Sequence, residues 1–309
     1  MSSDQIPWVY VKPPQRIELL GEVKHRLVSP SEREVEIIVK PDESLGFELA
    51  LAALALDGSR SMLRAYGAAL PKMIRRKQNT VHPIAQDLST FLAKNSRNQC
   101  AIAYWACGDD GSEIEPVGIM GSSDIQSYEF AGAQNWGGGT KVTPIVQYFW
   151  EQVFAGTEKQ GIAVILTDGA WDDEDNERLI EFTEVMCQEV AAGQRQLMKC
   201  VIVGLKTKDN ENEVERIDAR FEALNNYESP TEIDVWDTKW VDEMDGWIEL
   251  FFELVKEWSL GIGGFVEAQG QRALQQDAFD FGIKFSVPAN ATSFTIHLDG
   301  LGDYTQELG

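Results

Sequence analysis

The sequence predicts an α/β protein, with a mostly parallel central sheet, helices on both of its faces, and small β-rich flanks at the two ends of the chain. Three observations predict it. Apolar runs of strand length recur through the middle of the chain, segments of helical period lie between them, and short strands separated by turn residues take over after residue 260. Strands and helices alternating at this spacing bury a parallel sheet beneath crossover helices.

The elements follow in order. Residues 1–44 hold Pro7, Pro13, Pro14, Pro30 and Pro41 and one clear strand, REVEIIVK at 33–40, so they are expected to form a flank. LGFELALAALAL at 45–56 is apolar on both faces, which suits a buried helix or a buried parallel strand. Its second half is assigned to a strand because it feeds directly into a polar turn at Asp57. Helical segments are expected at 62–77 and 84–94, then strands at CAIAYWAC (100–107), GIAVILTD (161–168), LMKCVIVGL (197–205) and TEIDVW (231–236). The intervening helices are 143–154, 175–191 and 214–226, and a last one covers 240–258. TPIV at 143–146 opens with Thr143 as cap and Pro144 at the first helical position. The central domain is thus expected over 45–258 and a β extension over 260–309, with GFVEAQG, IKFSVPA and SFTIHLDG as its strands. Those strands are candidates to pair with REVEIIVK, because the ends of a domain often lie close together.

Composition limits the function. The chain has 309 residues, 43% hydrophobic and 25% charged, with nine Trp, which marks a globular protein. Its net charge of −23 repels phosphate backbones and anionic lipid surfaces, which disfavours nucleic acid and membranes and favours cations and basic partners. The start, MSSDQIPWVYVKPPQRIEL, has neither a basic region nor an apolar core of the secretory kind, so a cytoplasmic location is expected. Cys100, Cys107, Cys187 and Cys200 show no CxxC spacing and are expected as buried thiols.

In open α/β sheets, ligands bind beyond the carboxyl ends of the strands. Three polar sequences fall there. Asp57 ends one strand, with Ser59 and Ser61 at alternate positions after it; GGGT at 137–140 places Thr140 ahead of a helix; Thr167-Asp168-Gly169 ends another strand. A hard cation such as Mg²⁺ takes about six oxygens in octahedral geometry and keeps some waters, so small hydroxyls on tight turns suit it. Ser59 and Ser61 can point the same way, the glycines let the backbone approach closely, and Asp57 and Asp168 supply negative charge directly or through water. Taken singly, the same residues also read as strand stops, helix caps and a glycine turn.

Together, Asp57-x-Ser59-x-Ser61, the glycine loop with Thr140, and Thr167-Asp168-Gly169 resemble the metal-ion-dependent adhesion site of the von Willebrand factor type A family, over roughly residues 46–258. The resemblance implies that family's Rossmann-like fold and a Mg²⁺ or Mn²⁺ ion held by Asp57, Ser59, Ser61, Thr140 and Asp168. It also implies a non-enzymatic role, with one coordination position open to a carboxylate of a partner protein. Without a secretion signal, the chain is most similar to the intracellular branch, which includes copine-like and tellurium-resistance-associated members.

Two features depart from the family pattern. Arg60 stands where a small residue is usual, and its guanidinium either faces outward or pairs with Asp57 or Asp168. Acids also crowd the rim, in GDDG at 108–111 and in Asp172, Asp173, Glu174 and Asp175, which mark the first turn of a helix. Trp136 and Trp171 lie on the same side as candidate partner anchors.

Two rival readings use the same residues. ALALDGSRSM at 53–62 has the outline of a Mg²⁺-dependent phosphatase with Asp57 as nucleophile, but that chemistry needs a second acid two residues on, where Ser59 stands. A metal-free scaffold that keeps only the family's outline is the other. A serine hydrolase is disfavoured further, since the only histidines, His25, His82 and His297, lie in a flank or beside a proline and no GxSxG elbow is present.

Overall fold

The computed structural model describes residues 6–40, 51–68, 78–169, 171–207, 210–244, 246, 247, 250 and 262–309. Its strands are β1 (Val9–Tyr10), β2 (Leu20–Ser29), β3 (Glu32–Val39), β4 (Ala52–Asp57), β5 (Cys100–Cys107), β6 (Glu113–Met120) and β7 (Gly161–Thr167). The series continues with β8 (Met198–Gly204), β9 (Trp236–Trp240), β10 (Gly264–Ala268), β11 (Gln271–Gln276), β12 (Gly282–Pro288), β13 (Ser293–Leu298) and β14 (Gly302–Glu307). The α-helices are α1 (Val81–Lys94), α2 (Ser122–Ser127), α3 (Thr143–Tyr148), α4 (Asp173–Ala191) and α5 (Val214–Asn225). Two compact units result, one of Glu48–Asp245 and one that joins Met1–Phe47 to Gly246–Gly309.

In the Glu48–Asp245 unit, six strands form a sheet of order β6-β5-β4-β7-β8-β9. All neighbours are parallel except β5 and β6. Strands β4, β5, β7 and β8 are buried along their whole length, which is why their sequences are continuously apolar. Alternation along the strands divides their side chains between two faces. Ala53, Ala55, Trp105, Ile165 and Ile202 share a core with Phe149, Leu179, Met186 and Phe221 from the segment of α3, α4 and α5. Helix α1 packs on β4 and β5 and buries Val81, Ala85, Leu88 and Leu92. Its start is fixed by Asn79, whose Oδ1 accepts the backbone N–H groups of Val81 and His82 at 3.0 and 2.9 Å. The chain leaves β4 toward β5 on one side and returns to β7 on the other, so the carboxyl end of β4 lies at the reversal of strand order.

Several expectations shift. β6 is an antiparallel edge strand that Pro116 and Gly118 conceal in the sequence. The strand expected at 231–236 lies instead at Trp236–Trp240. Glu232 N–H bonds to Ser229 O at 2.9 Å and Glu232 has φ of 61°, so a turn occupies the first part of that segment. The helix expected at 143–154 ends α3 at Tyr148 and continues as a π turn over Phe149–Val153. Of the helices expected at 62–77 and 240–258, short 3₁₀ turns are seen at Arg60–Arg64 and Val241–Glu243, while 69–77 and 251–261 lie outside the described residues. The boundaries expected near 44 and 259 lie outside them too. No helix of the described residues is long and apolar enough to cross a membrane.

The second unit holds two antiparallel sheets, β1-β2-β3-β12 and β11-β10-β13-β14. REVEIIVK pairs with the C-terminal segment, with Val35 opposite Phe285. Phe285 and Phe294 meet edge to face at 5.1 Å between ring centres, which joins a strand of each sheet. At the chain ends, His25 Nε2–H donates to Leu308 O at 2.9 Å and Ile17 N–H to Gln306 Oε1 at 2.9 Å.

His25 makes this unit acid-sensitive. Burial, and then the charge of Arg33, lowers its pKa below the usual 6.5, partly offset by the bond to Leu308 O. The unfolded chain therefore takes up a proton that the fold resists, and the stability is present above about pH 6.5 and lost as pH falls below it. Denaturant midpoints of the full chain between pH 5 and 8 should show this loss for the wild type and a weaker one for His25→Gln.

Candidate metal centre

Register brings Asp57 and Thr167 together. Asp57 ends β4, and the pairing of Leu56 with Leu166 sets it beside Thr167 at the end of β7. Thr167 Oγ1–H donates to Asp57 Oδ2 at 2.6 Å and accepts Gly169 N–H at 3.0 Å, while Ser59 N–H donates to Asp57 Oδ1 at 2.8 Å. The turn after Asp57 is thereby closed on the carboxylate itself. Ser59 Oγ and Ser61 Oγ stand 2.9 Å apart, so the two hydroxyls that the alternate spacing singled out do point the same way.

The glycine loop is laced to this turn through the backbone. Gly137 N–H donates to Gly58 O at 2.9 Å and Arg60 N–H to Gly137 O at 3.1 Å, and Ser59 and Gly137 form a parallel bridge. Only glycine fits at 137, because a Cβ there would stand 1.8 Å from Ala106 O. The loop carries Thr140 to the same end of the sheet, and Thr140 O accepts Asp172 N–H at 2.8 Å. Helix α3 then begins with help from its neighbour: Asp175 Oδ2 accepts Thr143 N–H at 2.9 Å, so α4 supplies the cap that the sequence assigned to Thr143.

The centre is nearly dry. Asp57, Ser59, Thr140 and Asp168 are 0, 3, 7 and 1% exposed, and Ser61 is half-buried. Burial first, and the adjacent Asp168 charge second, raises the Asp57 carboxyl far above its usual 3.8, against the pull of the bonds from Ser59 and Thr167. Two carboxylates thus share a buried strand end. Among the described residues, no trio of His, Cys, Asp and Glu converges to hold a metal; what converges here is a pair of acids with small hydroxyls. Arg60 is exposed, on the solvent side of the turn.

The two aromatic candidates separate. Trp171 is 2% exposed and stacks on Phe221 at 6.1 Å, which makes it packing. Trp136 is half-buried, edge-on to Tyr66 at 5.3 Å. Two supporting residues were given no role of their own in the sequence. Thr167 links Asp57 to the turn at Gly169, as above. Asn210, 2% exposed, donates its amide to Asp168 O at 2.7 Å and Leu205 O at 2.9 Å and accepts Thr207 N–H at 2.8 Å, which pins the backbone under Asp168. A lone Asn in a polar loop gives no spacing signal; Thr167 was visible only as the residue before Asp168.

No protein-family model matches the chain, and no curated protein matches it. Solved structures give distant likenesses. The VWA domain of SpRpn10 aligns at 10% identity over 65% of this chain and 92% of its own, with a TM-score of 0.38. A PilB minor pilin from Streptococcus sanguinis aligns at 9% identity over 81% of this chain and 76% of its own, with a TM-score of 0.43. An aerotolerance-related membrane protein from Bacteroides fragilis aligns at 12% identity over 50% of this chain and 67% of its own, with a TM-score of 0.33. Likenesses this distant carry no argument about function, which rests on the side chains of the centre.

Proposed function

We propose that the Glu48–Asp245 unit is a non-enzymatic, divalent-cation-dependent protein-interaction module of the von Willebrand factor type A kind. Its centre would hold Mg²⁺ or Mn²⁺ with Asp57, Ser59, Ser61, Thr140 and Asp168. The observation that carries this reading is the pair of Ser59 and Ser61 hydroxyls, 2.9 Å apart beside two buried carboxylates. Adjacent ligands roughly 2.0–2.1 Å from an octahedral Mg²⁺ stand about 2.9 Å from each other, so the two oxygens have the separation of one octahedral edge. The donor chemistry fits as well, since hard oxygens and a net negative charge are what such an ion selects.

When bound, the ion supplies a Lewis-acidic position for an anionic oxygen from outside. The protein's residues do the rest. Asp57 and Asp168 would offset the cation's charge only in part, directly or through water, while Thr167 and the Ser59 backbone fix the orientation of Asp57 and the Gly137–Gly58 lacing keeps the loop of Thr140 against the turn. Because Ser59, Ser61 and Thr140 are neutral donors, they would leave a bound cation electrophilic enough to take a carboxylate from a partner protein. The phosphatase alternative finds no second acid, since Ser59 holds that position and bonds to Ser61. The four cysteines, all free and buried, are consistent with a reducing cytoplasm.

Thermal unfolding after chelation tests the reading. Mg²⁺ or Mn²⁺ at a hundredfold excess over Kd should stabilise the wild type by about 2.7 kcal/mol. Asp57→Ala should not respond. A wild type indifferent to both cations would leave the metal-free scaffold as the description of this chain.

A further inference from the structure

A cleft of about 690 Å³ runs beside the candidate centre, between α3, α4 and the turn after β5. Asp110 and Lys141, joined by an ion pair of 2.8 Å, line it at one end, and Lys141 directly follows Thr140. Gln147 and Arg178 line it further along, and Phe182 and Val185 of α4 supply its apolar part. Arg178, Phe182 and Val185 are spaced four and three residues apart, so they share one stripe of the helix. Phe182 reaches the core, but Val185 is 43% exposed.

Charge says what the cleft can accept. At its upper end Asp109, Asp110, Asp172, Asp173 and Glu174 are all exposed, with Asp110 paired to Lys141 and Asp173 to Arg220, and Glu181 adds a further acid to the lining beside Arg178. Two of them straddle the loop that carries Thr140: a Cβ on Gly139 would stand 2.8 Å from Asp110 O and 3.2 Å from Asp172 Oδ2. A uniformly acidic segment is repelled from such a mouth, whereas a single acid with basic neighbours is attracted. From the start of α4 to Val185 is about 18 Å at 1.5 Å per residue, which an extended chain covers in roughly five or six residues.

Resting on the metal reading above, we propose that this cleft seats an extended segment of a partner protein whose metal-seeking acid is flanked by Lys or Arg and followed, about five residues on, by an apolar side chain covering Phe182 and Val185. The basic residues answer the acids of the mouth and the apolar one takes Val185 out of water.

The probes are three fluorescein-labelled, capped peptides. The first is Gly-Lys-Asp-Lys-Gly-Ser-Ser-Leu-Gly, the second has glutamates in place of both lysines, and the third has asparagine in place of the aspartate. Polarisation is measured with the full chain in Mg²⁺ and in chelator, for the wild type and Val185→Glu, alongside the Mg²⁺-induced rise in Tm. The first peptide should bind only in Mg²⁺, at least about tenfold more tightly than the other two, and Val185→Glu should weaken it by about tenfold while its own Mg²⁺ response stays normal. Equal binding of the first two peptides, or of the first to both proteins, would overturn the proposal. So would a normal Mg²⁺ response with no peptide bound, and that outcome leaves the metal reading standing. Absence of any Mg²⁺ response overturns the metal reading itself and this proposal with it.

Discussion

Gly137→Ala is expected to cost the Glu48–Asp245 unit about 3 kcal/mol or more, and to abolish its response to Mg²⁺. The new Cβ would stand 1.8 Å from Ala106 O, a backbone atom that cannot swing away. Relief requires moving the loop or the end of β5, and the loop is held by Gly137 N–H to Gly58 O and by Arg60 N–H to Gly137 O. Overpacking of about one methylene costs 1–3 kcal/mol where side chains can adjust, so a backbone collision with two bonds at stake belongs at or beyond the upper end of that range. Gly156→Ala is the control. Gly156 has φ of 73° with nothing within 4 Å of its Cβ position, so only the left-handed conformation is penalised, by about 1–2 kcal/mol. Urea melts of both variants, with and without Mg²⁺, decide the matter. A Gly137→Ala protein as stable as Gly156→Ala and still responsive to Mg²⁺ would show that the loop is not locked onto the Asp57 turn.

Asp57→Asn is expected to act in opposite directions with and without cation. In the chelated wild type, burial and the neighbouring Asp168 hold the Asp57 carboxyl at about 7, against about 3.8 in the unfolded chain. Between those values the folded state keeps a proton that the unfolded state has released, so stability is greatest near pH 4, falls as pH rises, and levels off above about 7. Asn carries no charge to lose. The chelated variant should therefore be more stable than the chelated wild type at pH 8, by an amount on the order of a few kcal/mol, and flatter across pH 4 to 7. Saturating Mg²⁺ reverses the order at pH 8, because the cation stabilises the ionised pair that the variant lacks. A wild type that remains the more stable protein at pH 8 in chelator would mean that Asp57 is at ease in the fold without a counter-ion.

How much of this was legible depends on what each residue does. β4, β5, β7 and β8 could be read because a strand buried on both faces must be apolar throughout. β6, β11 and β14 could not, because they lie at sheet edges, where Pro116 or runs such as QRALQQ and GDYTQE are tolerated. The second strand of the N-terminal flank, β2, was hidden by the charges that alternate with its buried residues. In the candidate centre, Asp57, Ser59 and Ser61 stood out because a tight turn imposes their spacing. The orientation of Arg60 stayed open in the sequence, since nothing local fixes an exposed guanidinium. Asn210 was invisible because the bond that ties it to the centre, to Asp168 O, reaches a backbone atom distant in sequence.

The pairing of β3 with β12 also sets an order of assembly. The Glu48–Asp245 unit is an insertion within the other unit, so its strands and helices are synthesised as one uninterrupted block. The hairpin of β2 and β3, made earlier, must wait with one edge bare until β12 has been synthesised, after the whole Glu48–Asp245 block. An open edge with Val35 and Ile37 beside it is a site for mispairing with other nascent chains. The alternating Glu32, Arg33, Glu34 and Glu36 along β3 supply the charge that keeps such edges apart. That charge pattern therefore serves the unfinished chain as much as the completed one.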